Sequence, residues 1–387
     1  MNETDADDGT ETDADGETEA ALRRRRIEDA QRALRAGAGD ALVLFPSRNL
    51  QYLTGFAESP DERHLLFVVP ADGDPAFFAP ALYETQLREE TAVAEVRTWS
   101  DGEDPVAGVR DLLADRAVRG GHLLVDDTMW ATFTQDLRAA APAASFGLAS
   151  EVLSELRVRK DAAELDAMRR AAAVADAVVG DLRDLGPDAV GMTEAELSAF
   201  IEDRLTERGG SGTSFETIVG SGPNGAKPHH GHGDREIRAG EPVVLDFGTR
   251  VDGYPSDQTR TLVFDGEPPA RYREVHEVVR EAQQAGVEAV GPGVPAEAVD
   301  AAARAVIEAA GYGDAFFHRT GHGVGLDVHE EPYAVAGNER ELEPGMVLSV
   351  EPGIYLPDEF GVRIEDLVVV TEDGCERLND TDRDWHC

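Results

Sequence analysis

The 387-residue chain is strongly acidic: 77 Asp and Glu stand against 36 Lys and Arg, a formal net charge of −41. Such a surface repels nucleic acid and anionic membranes, so we expect neither as a partner. The length predicts two domains, and a hydrophobic fraction of 41% is enough for substantial cores. No apolar run approaches the roughly 20 residues that span a bilayer. The polar N-terminus does not resemble a signal peptide and two cysteines predict no disulfide framework, so we expect a cytoplasmic protein.

Lysine is almost absent, with Lys160 and Lys227 as the two examples. An acidic, lysine-poor chain is typical of a protein that works in concentrated salt, where self-repulsion is screened within about 3 Å at ~1 M. We therefore hypothesise a halophilic source. Full folding and activity at very low ionic strength would remove this hypothesis.

The first part of the chain predicts an acidic tail and an α/β domain. Residues 1–22 carry nine acidic side chains and no basic one, which is typical of a disordered segment without specific function. Helical and strand patterns then alternate through residues 23–150. The predicted helices cover 23–37, 104–117 and 129–140, and the predicted strands cover 41–45, 64–70, 93–99 and 122–126. The run Arg23–Arg26 is interpreted as a helix start paired with Glu28 and Asp29.

A second domain is predicted at 151–387. Its predicted helices cover 152–185, 194–208, 271–290 and 296–310, with Asp161 as a plausible cap, and its predicted strands cover 214–219, 346–355 and 361–371. The stretch G-S-G-P-N-G (220–225) matches the spacing of a dinucleotide fingerprint. Pro223 and Pro228 stand where the following helix would begin, so the stretch is interpreted as a loop.

The stretch V-V-L-D-F-G-T-R-V-D-G-Y-P-S-D-Q-T-R-T (243–261) predicts a β-hairpin. Its turn is Asp252-Gly253, which places Gly248 opposite Asp257 and leaves the space beside that carboxylate empty. Asp246 then shares the face of Asp257. Two carboxylates aimed at one space repel unless they are protonated or bridged by cations. An isolated pair of this spacing is more often simply solvated, so further ligands decide the interpretation.

Three downstream residues supply such ligands. His322 is flanked by glycines, while Glu351 and Glu365 interrupt β-branched runs that should be buried. Each alone has an ordinary explanation, as a turn residue or as a partner of Arg363, but a buried carboxylate without a partner is costly. Together with the two aspartates they form a set of four carboxylates and one imidazole. That set suits two divalent ions, Mn²⁺ foremost and Co²⁺ or Zn²⁺ possible, and metal-assisted hydrolysis.

The same segments resemble the M24 metallopeptidases with the pita-bread fold, in the branch that holds Xaa-Pro dipeptidase (prolidase), aminopeptidase P and creatinase. The similar stretches are R-N-L-Q-Y-L-T-G-F (48–56), P-N-G-A-K-P-H-H (223–230), D-F-G-T-R-V-D-G-Y-P-S-D-Q-T-R-T (246–261), G-H-G-V-G-L-D-V-H-E-E-P (321–332), V-E-P-G-I-Y (350–355) and G-V-R-I-E-D (361–366). The resemblance implies an α/β (α+β) chain. A creatinase/prolidase-like domain at 23–150 would precede a pita-bread catalytic domain at 151–387.

For the metal site, the resemblance implies that Asp246 ligates one ion. Asp257 and Glu365 would bridge both ions, and His322 and Glu351 would ligate the other. Glu351 would also carry a proton to the leaving amine.

For the substrate, the resemblance implies that His229 and His329 stabilise the tetrahedral intermediate or hold the proline side. Tyr355 and Arg363 would form part of the substrate site, with Arg363 behind the bridging glutamate. His230 and His232 are equally well explained as loop residues. Lys227 departs from the apolar residue that is usual in relatives and could alter the pocket rim.

The implied activity is hydrolysis of Xaa-Pro bonds in dipeptides or short peptides by a metal-bridged hydroxide, in a homodimer. Dipeptidase and aminopeptidase P specificity are not separated by these residues. The alternatives are a creatinase-like amidinohydrolase, which does not rely on the metal pair, and a non-catalytic pita-bread binding protein, which would usually have lost ligands. Retention of all five ligands weighs against both.

Overall fold

A computed structural model describes residues 18–387. The predicted tail at 1–22 lies outside the described residues as far as residue 17, and its last residues already belong to a helix that begins at Glu19. The chain divides into two compact units between Arg157 and Val158, shortly after the boundary predicted at residue 150. Within 18–387, no helix is both long and apolar enough to cross a membrane.

The first unit is built on a six-stranded mixed sheet with the order β4-β3-β2-β1-β5-β6. Its strands are β1 (Ala41–Leu44), β2 (Leu66–Pro70), β3 (Ala76–Pro80), β4 (Glu95–Trp99), β5 (His122–Val125) and β6 (Ser145–Leu148). Its helices are α1 (Glu19–Ala33), α2 (Arg48–Thr54), α3 (Glu84–Glu90), α4 (Pro105–Asp115), α5 (Ala131–Ala140) and α6 (Ser150–Arg157). The strands predicted from apolar runs are confirmed, whereas β3 and β6 were not predicted.

The arginine run in α1 contacts the neighbouring helix α2. The guanidinium of Arg26 is buried, lies 4.1 Å from the centre of the Tyr52 ring and donates to the Tyr52 carbonyl oxygen over 3.2 Å. Arg23 donates to the same carbonyl over 3.4 Å. These two side chains therefore attach α1 to α2. The pairing of the run with Glu28 and Asp29 stays a prediction.

The second unit carries four helices and four sheets. Its helices are α7 (Ala162–Leu185), α8 (Glu194–Glu207), α9 (Ala270–Glu288) and α10 (Ala296–Ala309). Its strands are β7 (Ile218–Ser221), β8 (Val243–Phe247), β9 (Arg250–Val251), β10 (Tyr254–Pro255), β11 (Gln258–Leu262), β12 (Gly321–Gly323), β13 (Glu330–Ala334), β14 (Val347–Val350), β15 (Gly353–Leu356), β16 (Phe360–Arg363), β17 (Asp366–Thr371) and β18 (Gly374–Arg377). The sheets have the orders β11-β8-β7, β10-β9, β13-β12-β14-β17-β18 and β15-β16.

The single helix predicted at 152–185 is two helices. Asp161 caps α7, because its side chain accepts from the Glu164 amide while the Glu164 side chain accepts from the Asp161 amide. This reciprocal capping box fixes a new helix start and separates α7 from α6. The cap residue was predicted, but the break before it was not.

The predicted hairpin register is confirmed. Val251 pairs with Tyr254, and the same register continues to Phe247 paired with Gln258. Asp252 and Gly253 have φ values of 49° and 84°, as a type I′ turn requires. The reason given for Gly248 is wrong, however. A Cβ at Gly248 would lie 1.9 Å from the Ser256 carbonyl oxygen, so the glycine permits a close backbone approach and leaves no empty space.

The two long strands predicted near the C-terminus are each interrupted at a glutamate. Residues 346–355 divide into β14 and β15 around Glu351, and residues 361–371 divide into β16 and β17 around Glu365. Because Val350 pairs with Asp366 and Gly353 with Arg363, the two glutamates stand at facing positions where the chain passes from one sheet to another.

Candidate active site

A cavity of about 660 Å³ lies in the second unit, a volume typical of small-molecule sites. It is lined by loop segments around residues 215–216, 228–231 and 317–319, by strand ends and by the predicted ligands. The lining residues include Phe215, Glu216, His229, Asp246, Asp257, Phe317, Arg319, His322, Val328, His329, Glu351, Arg363 and Glu365. All five residues predicted to hold metal therefore face one space, although they come from distant parts of the chain.

Three of the five predicted ligands form a compact cluster. One oxygen each from Asp257 and Glu365 and one ring nitrogen of His322 lie within 4.8 Å of one another. Asp257 directly precedes β11, His322 is the central residue of β12, and Glu365 lies between β16 and β17. These atoms come together because strands of three different sheets meet at the cavity.

The orientation of His322 follows from its hydrogen bonds. Its Nδ1 lies 3.2 Å from the Gly323 carbonyl oxygen and therefore donates, which leaves the Nε2 lone pair toward the carboxylates. Nε2 lies 3.3 Å from Oε1 of Glu351 and 3.7 Å from Oδ2 of Asp257. Burial and then the neighbouring His329 lower the pKa of His322 to about 3, so the ring is a neutral ligand at ordinary pH.

Arg363 organises the other side of the site. Its Nη2 donates to Oδ2 of Asp246 over 2.6 Å, its Nε donates to the Thr259 hydroxyl over 3.1 Å, and its Nη1 donates to the Tyr355 hydroxyl over 2.8 Å. The Thr259 hydroxyl in turn donates to Oε2 of Glu365 over 2.7 Å. Arg363 thus orients two ligands, one directly and one through Thr259.

The carboxylates are too crowded to be charged together without a cation. Burial, followed by repulsion from Asp246 and Glu351, raises the pKa of Asp257 well above its usual value. Burial and then Asp257 do the same to the pKa of Glu365. Burial also raises the pKa of Glu351 to about 7, against the opposing charge of Arg363.

These residues fit divalent metal ions. Oδ1 of Asp246 is buried without any hydrogen-bond partner in the described structure, while its second oxygen is held by Arg363. An orphaned carboxylate oxygen is costly unless something positive occupies its free side. Four carboxylates and one neutral imidazole are the donor set that such ions prefer.

The other predicted site residues divide into two groups. His229 and His329 line the cavity, and the His329 ring packs edge-on against His322 with centroids 4.1 Å apart. Tyr355 is not among the lining residues; it is buried behind Arg363, and its hydroxyl also lies 3.0 Å from Nε2 of His318. Its predicted place in the substrate site stays a prediction, and its hydrogen bond to Arg363 connects it to the cavity.

The loop residues left open by the sequence also have defined places. Nε2 of His230 lies 2.9 Å from Oε2 of Glu194, and Nδ1 of His232 lies 3.2 Å from the Thr217 carbonyl oxygen. Lys227 donates to Oδ1 of Asn224 over 3.0 Å and does not line the cavity, so it does not alter the pocket rim as suggested.

Several lining residues were not predicted. Phe317 is 64% exposed at the cavity and packs against the Tyr355 ring, with centroids 5.4 Å apart. Arg319 lies with its guanidinium 4.4 Å from the centre of the Tyr333 ring, and its charge helps to lower the pKa of His329, after burial. Both stand just before the His322 segment, and their proximity to that motif was the one signal available in the sequence.

Comparison with protein families agrees with this site. The description "Metallopeptidase family M24" matches residues 166–372, and "Creatinase/Prolidase N-terminal domain" matches residues 26–159. The chain belongs to metallopeptidase family M24. The predicted order of the two M24-type domains and the mixed α/β fold are confirmed.

Individual relatives cover almost the whole chain. A probable dipeptidase PepE of Mycobacterium tuberculosis is 45% identical over 353 residues, covering 90% of this chain and 92% of the relative. An Xaa-Pro dipeptidase of Lactobacillus helveticus is 38% identical, covering 92% of this chain and 97% of the relative. The crystal structure of a prolidase from Thermococcus sibiricus is 41% identical with a TM-score of 0.90, covering 94% of this chain and 98% of that one.

Proposed function

We propose that this M24 metallopeptidase hydrolyses the Xaa-Pro bond of dipeptides. The observation that carries the proposal is the convergence of Asp246, Asp257, His322, Glu351 and Glu365 on one cavity, with one buried oxygen of Asp246 left free. The similarity to proteins named Xaa-Pro dipeptidase and prolidase supports the choice of bond. Such a bond lacks an N–H and has a restricted backbone, so it requires a dedicated pocket.

The five residues would hold two divalent ions, with Mn²⁺ the first expectation and Co²⁺ or Zn²⁺ as other candidates. Asp246 would serve one ion, His322 and Glu351 the other, and Asp257 and Glu365 both. Bound ions would supply an activated water and positive charge for the developing oxyanion.

The protein side chains would divide the remaining work. Glu351 faces the cavity, where its carboxylate would also pass a proton to the proline nitrogen as the bond breaks. His329 has a pKa lowered by burial and by Arg319, and as a neutral ring it can donate an N–H to the scissile carbonyl. His229 would contact the proline side from the opposite loop.

Several finer features belong to the same proposal. We expect a dipeptidase rather than an aminopeptidase P, since the relatives described above carry dipeptidase or prolidase names. We also propose a salt-rich source and no nucleic-acid or membrane partner, because of the net charge of −41. A homodimer is what the resemblance to the M24 family implies, and a cytoplasmic location is proposed from the polar N-terminus and the two cysteines.

The test is hydrolysis of matched peptides by protein loaded with Mn²⁺, Co²⁺ or Zn²⁺, with the bound metal counted. We expect cleavage of Xaa-Pro dipeptides, slower cleavage of Xaa-Pro-Yaa tripeptides, and none of Xaa-Ala or creatine. Preference for the tripeptide would indicate aminopeptidase P specificity. Creatine turnover, or metal-loaded protein without any peptidase activity, would contradict the proposal.

A further inference from the structure

The glycine-rich turn at 220–225 is packed tightly against β16. A Cβ at Gly361 would lie 1.9 Å from the Gly225 carbonyl oxygen, and a Cβ at Gly220 would lie 3.0 Å from Cα of Gly225. Two backbones therefore touch where side chains would normally separate them. Because β16 ends at Arg363, one side of this turn is attached to the arginine that orients the ligands.

Glu194 holds the other side of the same turn. Its Oε1 accepts hydrogen bonds from the amide of Ser221 (2.8 Å), the hydroxyl of Ser221 (2.7 Å) and the side-chain amide of Asn224 (3.0 Å). Its Oε2 accepts from Nε2 of His230 over 2.9 Å and from Asn224 over 3.2 Å. The Glu194 carboxylate, at the start of α8, thus binds Ser221 and Asn224 within the turn and His230 a few residues after it.

This carboxylate is buried yet charged. The Glu194 side chain is 0% exposed, and burial alone would raise its pKa, but the hydrogen bonds from Ser221, Asn224 and His230 hold the pKa below its usual value. The donors are themselves fixed. Arg235 donates to the Ser221 hydroxyl over 2.6 Å, and Lys227 donates to Asn224. These additional hydrogen bonds hold Ser221 and Asn224 in place, which favours a rigid arrangement around Glu194.

His229 stands between two tethered neighbours. The carbonyl oxygen of Pro228 accepts from Nη1 of Arg363 over 3.3 Å, and His230 is held by Glu194. With both adjacent residues fixed, the direction of the exposed His229 side chain into the cavity is restricted.

We infer that Glu194 is a positioning residue that holds the 220–230 segment so that His229 faces the substrate. This inference rests on the proposed function in that it assigns His229 a contact with substrate. Glu194 itself touches no reacting atom and acts only through the segment.

The test variant is Glu194→Gln, because glutamine keeps the size but points an amide at donors that need an acceptor. We expect kcat/KM for an Xaa-Pro dipeptide to fall about tenfold, with unchanged metal content. The loss in kcat/KM should be divided between kcat and KM in the same proportion as in His229→Ala. Glu196→Gln is the matched control, since Glu196 lies on the same helix turn and accepts only from Thr193 in the described structure. It should behave like the unmodified enzyme.

A double-mutant cycle separates positioning from general damage. If Glu194 acts through His229, Glu194→Gln should have almost no further effect in the His229→Ala background. An equal loss in both backgrounds, or normal activity of Glu194→Gln, would overturn the inference. If Glu194→Gln folds poorly, Asn224→Ala removes a partner of Glu194 that does not line the cavity, and we expect it to lower kcat/KM in the same non-additive way.

Hydrogen exchange tests the inference without any substrate. The Ser221 amide donates directly to Glu194, so exchange in peptides covering 218–230 should become faster in Glu194→Gln and stay unchanged in Glu196→Gln. Unchanged exchange would refute the positioning role even if the enzyme is a peptidase. If exchange becomes faster in Glu194→Gln but the unmodified protein cleaves no Xaa-Pro peptide, the proposed function is refuted. The structural role of Glu194 in the segment would then still hold.

Discussion

Arg363 donates to Oδ2 of Asp246 over 2.6 Å, while Oδ1 of the same buried carboxylate has no hydrogen-bond partner in the described structure. One oxygen is therefore held still and the other is presented to the cavity. A ligand fixed in this way loses little freedom when an ion binds, so its orientation is prepared before the ion arrives.

Arg363→Lys should lower kcat/KM by about 10- to 100-fold and weaken metal binding. A lysine has one point-like ammonium and cannot donate together to Asp246, Thr259 and Tyr355 as the guanidinium does. Steady-state kinetics with a metal titration measures both effects. Arg271→Lys is the control, because Arg271 forms an exposed pair with Glu359, and equal losses in the two variants would contradict the assigned role.

Asp257→Asn should reduce activity by at least about 100-fold while the fold persists. In the metal-free protein, the substitution removes one of several buried carboxylates that repel each other, so the melting temperature should stay the same or rise. Activity, metal content and thermal melting are measured on the same sample. Near-normal turnover would show that Asp257 is not a ligand.

Lys160→Met should destabilise the protein by about 3 kcal/mol, because it removes the buried ammonium that lies against the Glu330 carboxylate. The Lys160 side chain is fully buried, and its Nζ donates to Oε1 of Glu330 over 2.7 Å and to the Val158 carbonyl oxygen over 3.2 Å. Denaturant unfolding gives the free energy. Adding Glu330→Gln should recover part of the loss, and strictly additive losses would show that the two side chains are not coupled.

His276→Gln should reduce the acid sensitivity of the fold. Burial lowers the pKa of His276 to about 4, against the attraction of Asp384, and its Nε2 has no hydrogen-bond partner in the described part of the chain. Between pH ~6.5 and about 4 the unfolded chain therefore binds a proton that the folded chain does not, and stability falls as the pH falls.

The contribution of His276 reaches at most roughly 3 kcal/mol at the acid end of that range. Unfolding free energies at several pH values, compared between the two proteins, isolate it from other groups. The difference in unfolding free energy between the two proteins should no longer depend on pH above pH ~7, because His276 is then neutral in the folded and the unfolded chain. Parallel stability curves through the whole range would contradict the prediction.

Salt should raise the melting temperature of the protein between about 0.1 M and 3 M KCl, because screening relieves the repulsion of a net charge of −41. Exposed ion pairs such as Arg271–Glu359 contribute little to stability and would be weakened in the same range. Differential scanning calorimetry measures the balance. A melting temperature that falls with salt would remove the halophilic hypothesis.

The sequence predicted the parts of the fold that local chemistry decides. The register of the hairpin followed from Asp252-Gly253 and the strand pattern around it, and the ligand set followed from carboxylates placed where apolar residues belong. The residue that caps α7, Asp161, was also predicted from its local sequence. Residues 158–161 (V-R-K-D) contain neither glycine nor proline, however, so nothing in them marked the break before that cap.

Contacts between distant segments could not be predicted from the sequence. The backbone approach at Gly248 depends on Ser256 and Ser214, and the placement of Tyr355 behind Arg363 depends on how β15 pairs with β16. Glu194 looked like an ordinary acidic residue in the first turn of a helix. Its burial is decided by the loop that folds over it, and nothing in its own neighbourhood indicates that.

The five predicted ligands lie on or beside strands of three sheets: Asp246 and Asp257 at the β8–β11 pair, His322 and Glu351 at β12 and β14, and Glu365 between β16 and β17. Ions held by these residues would act as cross-links that exist only in the folded chain. By mass action, each tenfold rise in free ion above its dissociation constant would add about 1.4 kcal/mol to the unfolding free energy. The melting temperature would therefore measure how far the predicted metal site is occupied, without any peptide substrate in the sample.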